Sequence, residues 1–250
     1  MKTINRTPKT KRQLQILMRN HMDSHCKDRC LDAKESCAYY KTCDVIFQAL
    51  HATFILLLLC IPLSAQQLSK KYVSANFTSY ISYSVACPMY VSYNLYKGGG
   101  NCSRDTMTWK CQTDSIGIES SYLHSGYDKG HLCAAEDFAY DCTLESNTFR
   151  YENAIPQKPG LNRGSWAIYE ANIRSLSKKN HMFIICGGFQ WGNKIGKISV
   201  PKMCFKVYKN LTTNKITYMI FQNTQQGTYS VLDSLHFYRI VPYQLQNLLK

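Results

Sequence analysis

Tyr127-Asp128-Lys129-Gly130-His131, Asn153-Ala154-Ile155-Pro156-Gln157 and Leu161-Asn162-Arg163-Gly164-Ser165-Trp166, with Glu170 and Arg174 behind the last, fall within one stretch of 48 residues. From Ser165 to Leu176 the apolar residues Trp166, Ile168, Tyr169, Ile173 and Leu176 recur at helical spacing. Outward from there the chain turns to strand patterns. Tyr80–Val85 and Met89–Tyr96 alternate, His181–Cys186 reads as a buried strand ended by Gly187-Gly188, and Ser199–Tyr208 and Ile216–Phe221 read as further strands. Gly98-Gly99-Gly100-Asn101 marks a turn, and Tyr243–Leu249 reads as a short closing helix. The plan is α+β, with an antiparallel sheet flanked by helices.

The chain has 250 residues, 45% hydrophobic and 12% aromatic, enough for a substantial core. Its net charge of +14 is spread along the length, with +5 in residues 1–44 and +9 in residues 66–250. A basic globular part favours a polyanionic partner, although solubility charge alone accounts for the same excess. Twelve cysteines are many for a cytosolic enzyme. Seven follow residue 65, so at least one stays unpaired if the others bridge. Cys102 with Cys111 is the expected local pair, and Cys186 is expected as a packed thiol.

Three segments are expected: a basic, Cys-containing leader at 1–44, a signal peptide or signal-anchor at 45–65, and one domain at 66–250. Thr53–Ala65 is the strongly apolar run, and its small residues before Gln66-Gln67 have the form of an export signal. Some 44 residues precede the 45–65 segment that holds it. Three readings stay open: a start downstream at Met18 or Met22, an uncleaved anchor spanning from Val45 to Ala65, or a buried helix. The first predicts a secreted or periplasmic protein, the second a membrane-anchored one. Five acids in residues 1–44 argue against a mitochondrial leader, and the spacing of Cys26, Cys30, Cys37 and Cys43 does not suit a zinc knuckle.

The motif residues suit hydrolysis of a phosphodiester. That reaction needs a base for water, a cation against the charge growing on the phosphoryl oxygens, and stabilisation of the leaving oxygen. His131 is the natural base, with Lys129 as a phosphate contact and Gly130 allowing close approach. Asn162 can offer a carbonyl oxygen to hydrated Mg²⁺. On a regular helix Asn162, Trp166, Glu170 and Arg174 share one stripe, each step of four drifting about 40°. Glu170 would stand roughly 12 Å along the axis from Asn162, which suits holding a metal-bound water better than shared ligation. Arg174, roughly 18 Å along, would be a peripheral phosphate contact or simply the ion-pair partner of Glu170. Trp166 reads as core. Asn153 and Gln157 flank Pro156 and read either as turn chemistry or, for Asn153, as orienting substrate or water.

In this order and spacing the motifs resemble the DNA/RNA non-specific endonucleases, the ββα-metal nucleases that include the secreted Serratia nuclease and mitochondrial endonuclease G. Weaker likeness extends to Cys87–Tyr93 and to Val200-Pro201 with Phe205-Lys206-Val207. The resemblance implies a ββα-metal nuclease core and cleavage of DNA and RNA through backbone contacts that ignore sequence. It implies His131 as general base, Asn162 as protein ligand of one hydrated Mg²⁺ (with Mn²⁺ as a substitute), and Glu170 holding metal-bound water. Lys129, Asn153 and Arg174 would assist phosphate or transition state, and Lys129, Arg163 and Arg174 would bind substrate. A membrane is a partner only if residues 45–65 stay uncleaved, and a homodimer is allowed. The alternative is a nucleic-acid-binding member with little or no turnover. Three departures stand out: Lys129 where the family usually has Arg, Ala134 where Pro is common, and Glu152, whose charge would oppose an anionic substrate.

Overall fold

The computed structural model describes residues 68–241. The leader at 1–44, the apolar run at 45–65 and the closing helix expected at Tyr243–Leu249 lie outside the described residues.

Seven antiparallel strands form the main sheet, in the order β1-β2-β3-β6-β7-β8-β9. They are β1 (Lys70–Val73), β2 (Thr78–Ser82), β3 (Cys87–Leu95), β6 (Met182–Ile195), β7 (Ile198–Asn210), β8 (Ile216–Gln222) and β9 (Tyr229–Leu232). Short, exposed β1 and β9 close the edges, and β3, β6 and β7 carry the longest apolar runs in the middle. Burial of consecutive residues such as Cys204–Val207 means that both faces of the sheet are covered. Because successive side chains point to opposite faces, Phe205 and Lys206 meet different layers. Phe205 meets Phe237 of a C-terminal helix, α4 (Ser234–Ile240), at 6.2 Å between ring centroids. Lys206, with Cys186 and Cys204 beside it, faces the unit that carries the motifs.

That unit is a strand pair and a helix. β4 (Asp128–His131) and β5 (Ala154–Gln157) pair antiparallel, with His131 opposite Ala154 and Lys129 opposite Pro156. A wide π-helical turn at Leu161–Trp166 then leads into α3 (Ala167–Ser177). A short α1 (Glu119–Tyr122) precedes β4, and α2 (Cys142–Thr148) lies between β4 and β5. Asp141 caps α2 by accepting hydrogen bonds from the amides of Thr143 and Leu144. The α+β plan and the ββα core are thus both present.

Four expectations are corrected. The helix does not start regularly at Ser165, because Gly164 (φ −104°, ψ −113°) leaves helical geometry inside the wide turn. Gly187-Gly188 does not end β6; the strand runs through both, since β3 and β7 come too close there for side chains. α4 stands where no helix was expected. Cys102 bridges Cys142, not Cys111, which is free and exposed. Spacing favoured the short loop, whereas the fold carries α2 back to Cys102. Cys186 is the packed thiol expected: it is buried and donates to the Leu132 carbonyl at 2.9 Å.

A β-carbon at Gly187 would stand 2.1 Å from the Met89 carbonyl oxygen, inside the β3–β6 ladder. Gly187→Ala is therefore expected to lower the unfolding free energy by about 1–3 kcal/mol, read as a lower urea midpoint at unchanged slope.

Candidate active site

His131 ends β4, and its position is fixed through the backbone around it. The Asn153 side chain accepts from the Cys133 amide (2.8 Å) and donates to the carbonyls of Cys133 (2.9 Å) and Thr148 (2.9 Å). Trp166, fully buried and edge-on to Phe221, donates from its indole nitrogen to the His131 carbonyl at 3.2 Å. These bonds tie β4, β5 and the start of α3 into one body.

The imidazole packs against Trp109 (4.7 Å between centroids) and Phe149 (4.9 Å), and its Nε2 is buried with no hydrogen-bond partner among the described residues. Burial first, then the positive charges of Arg104 and Lys129, pushes the ring from its ordinary 6.5 down to about 3. His131 is therefore neutral at physiological pH.

A cavity of about 340 Å³ opens beside it, lined by polar groups from several elements, among them His131, Asn162, Glu170, Arg104, Glu136 and Arg174. Asn162 stands in the wide turn, where its Nδ2 donates to Asp128 Oδ2 at 3.0 Å. Fixing the amide nitrogen on β4 directs the amide oxygen away from that carboxylate. Glu170 Oε1 accepts from Lys206 Nζ at 3.2 Å. Arg174 forks to Asp137 Oδ1 (2.7 Å) and Glu136 Oε2 (2.8 Å). Arg104 binds buried Glu145 at 2.8 Å and also reaches Glu136 at 3.4 Å. Burial and the nearby Glu170 push the Asp137 carboxyl up to about 6, partly offset by Arg174.

Residues 61–241 match the family profile described as DNA/RNA non-specific endonuclease. The chain belongs to this family. A nuclease of Nostoc sp. is 34% identical over 91 residues, covering 35% of this chain and 33% of that protein. Human mitochondrial endonuclease G is 35% identical over 69 residues, covering 28% and 23%. Nuclease C1 of Cunninghamella echinulata is 35% identical over 88 residues, covering 33% and 35%. The alignments thus span about a third or less of each relative. In fold, the chain resembles a solved structure of an EndoG/EndoGI complex, with a TM-score of 0.55 at 21% identity, covering 64% of this chain and 76% of that one.

Of the residues singled out in this endonuclease-family chain, His131, Asn162, Glu170 and Arg174 share the cavity. The others stand elsewhere. Asn153 is fully buried and spends its amide on backbone, so it positions the strand pair and does not meet the cavity. Lys129 is held by Glu119 at 2.5 Å, with Trp109 beneath it at 5.2 Å. Arg163 is exposed and forks to Asp128. Gly130 leaves room for the Gln157 side chain, 2.1 Å from where a β-carbon would stand, and not for a substrate. Arg174 is not the partner of Glu170: it pairs with Asp137 and Glu136 and lines the cavity, while Glu170 pairs with Lys206. Glu152 lies fully buried, accepting from the Gln112 amide, and so puts no charge into the cavity.

Sequence reading missed Arg104, Glu136, Asp137 and Lys206. Arg104 and Glu136 sit outside the quoted motifs. Lys206 was passed over inside a strand whose burial its neighbours Phe205 and Val207 had announced.

Folded His131 resists a proton that the unfolded chain accepts near 6.5, so stability should fall as pH drops from about 6.5 toward about 3. Asp137 works in the opposite sense: its raised carboxyl binds a proton more tightly when folded, so acidification below about 6 favours the fold. In EDTA, the acid loss of unfolding free energy is expected to be shallower in His131→Asn than in the parent, measured by urea unfolding between pH 4 and 7.

Proposed function

We propose that the chain is a metal-dependent endonuclease hydrolysing phosphodiester bonds of DNA and RNA without sequence preference, with His131 as general base. The supporting observation is that a neutral imidazole, an asparagine amide, two carboxylates and two arginines line one cavity of about 340 Å³.

The donors fit a hydrated Mg²⁺. No group of three or more His, Cys, Asp or Glu suited to hold a metal occurs among the described residues, which argues against a zinc-type cage. Mg²⁺ keeps several waters and needs few protein oxygens. Asn162 would supply one, through the oxygen left when Asp128 takes its nitrogen, and Glu170 would hold a metal-bound water with the oxygen that Lys206 leaves free. When bound, the ion (or Mn²⁺ in its place) supplies stabilisation of charge on the phosphate and leaving oxygens.

The protein groups divide the remaining work. His131 takes the proton of the attacking water, which requires the neutral ring that burial enforces. A phosphate arriving at Arg104 would offset the positive charge that depresses His131 and raise its affinity for that proton. Arg104 and Arg174 meet phosphate oxygens, with Lys129 and Arg163 as flanking contacts that already hold Glu119 and Asp128. Contacts of this kind read no bases, hence the lack of sequence preference. The Cys102–Cys142 bridge supports an oxidising compartment and so an export role for residues 45–65.

The full chain should cut plasmid DNA and RNA with Mg²⁺ and not in EDTA. His131→Ala should lose about 10²–10⁴-fold in rate while keeping its circular dichroism. Intact substrate in every condition, with retained binding, would favour the non-cleaving alternative. A second outcome follows from Glu136, which holds both Arg104 and Arg174 as a phosphate would. Glu136→Gln should lower KM severalfold, by roughly 1 kcal/mol of released competition, with little change in kcat.

A further inference from the structure

Lys206 is the most unusual charge in the described fold. It stands in the middle of β7 with its side chain 0% exposed, where an ammonium ion is costly unless paired. Its Nζ donates to Glu170 Oε1 at 3.2 Å and stands over the Trp166 ring, 4.1 Å away. Burial by itself pulls the ammonium down, but the Glu170 carboxylate, with Cys186 and Asp137, more than offsets this and the net shift is upward. Lys206 is therefore a fixed positive charge. It touches one residue that lines the cavity and another, Trp166, that holds the His131 carbonyl.

We propose that Lys206 is a positioning residue for the endonuclease reaction: from the sheet beneath the cavity it clamps Glu170 Oε1 and leaves Oε2 for a metal-bound water. The geometry gives three reasons. Glu170 lies on α3 with its side chain 15% exposed, and Lys206 is the cation that the structure pairs with it. The basic residue nearest along its own helix, Arg174, is turned to Asp137 and Glu136. A second carboxylate, Asp137, is close enough to interact with Glu170, so without Lys206 two like charges would repel in a poorly solvated site and Glu170 would lose the partner that fixes its side chain.

This inference rests on the reading that Glu170 serves the reaction, and a double-mutant cycle on the full chain separates the two. Glu170→Gln, Lys206→Met and the double variant are compared for kcat and KM on one oligonucleotide, for Mn²⁺ binding by electron paramagnetic resonance, and for thermal unfolding. Lys206→Met should lower kcat about 10- to 100-fold with KM nearly unchanged, and should weaken Mn²⁺ binding. The double variant should fall within about twofold of Glu170→Gln, because a clamp has nothing left to hold. Multiplying losses, or a Lys206→Met enzyme with wild-type kcat and Mn²⁺ binding, would overturn the inference. Wild-type rates in Glu170→Gln would instead remove Glu170 from the mechanism. Should Lys206→Met not fold, Glu170→Gln against the double variant decides alone, since the double buries no unpaired charge.

Discussion

The side chain of Asn153 satisfies backbone groups of two separate segments, and the site depends on that. Its amide binds the backbone N–H and C=O of Cys133 and the Thr148 carbonyl at a fully buried position. The Trp166 indole closes the third side on the His131 carbonyl. With the backbone pinned at residues 131 and 133, the imidazole can stand at the cavity wall without a hydrogen bond of its own. Its aromatic neighbours fix the ring, and its free nitrogen keeps its chemistry.

Electrostatic arrangement around the cavity follows a single pattern, in which the two arginines lining it and the lysine beneath it already hold carboxylates. Arg174 and Arg104 share Glu136, Arg174 also holds Asp137, Arg104 holds Glu145, and Lys206 holds Glu170. The pairs are graded by burial. Lys206–Glu170 and Arg174–Asp137 are deep, so their geometry is fixed and separating them is costly. Glu136 is exposed, and its contacts with two arginines are of the kind that a phosphate can replace cheaply. The deep pairs hold shape, and the shallow one is the more readily exchanged.

The disulfide belongs to the same design. Arg104 and Trp109 lie on the segment after Cys102, and the Cys102–Cys142 bridge ties that segment to the start of α2, which carries Glu145. One crosslink thus secures both a cavity-lining arginine and the ring that packs on His131.

The sequence by itself determined the α+β plan and the main strands, and singled out His131, Asn162, Glu170 and Arg174, which the fold gathers around one cavity. Strand alternation and helical spacing are local patterns, and these four residues have side chains suited to the chemistry. It could not determine where local periodicity breaks: the wide turn at Leu161–Trp166 and the passage of β6 through Gly187-Gly188 arise from packing against other strands. Nor could it separate Asn153 from Asn162, since an amide looks the same in sequence whether it faces backbone or cavity. Partner choice was decided by tertiary structure alone. Cys102 found Cys142, Glu170 found Lys206, and Arg174 found Asp137. Each such pair joins positions distant in the chain: stacking of the ββα unit on the sheet brings Glu170 to Lys206, and folding within that unit brings Arg174 to Asp137.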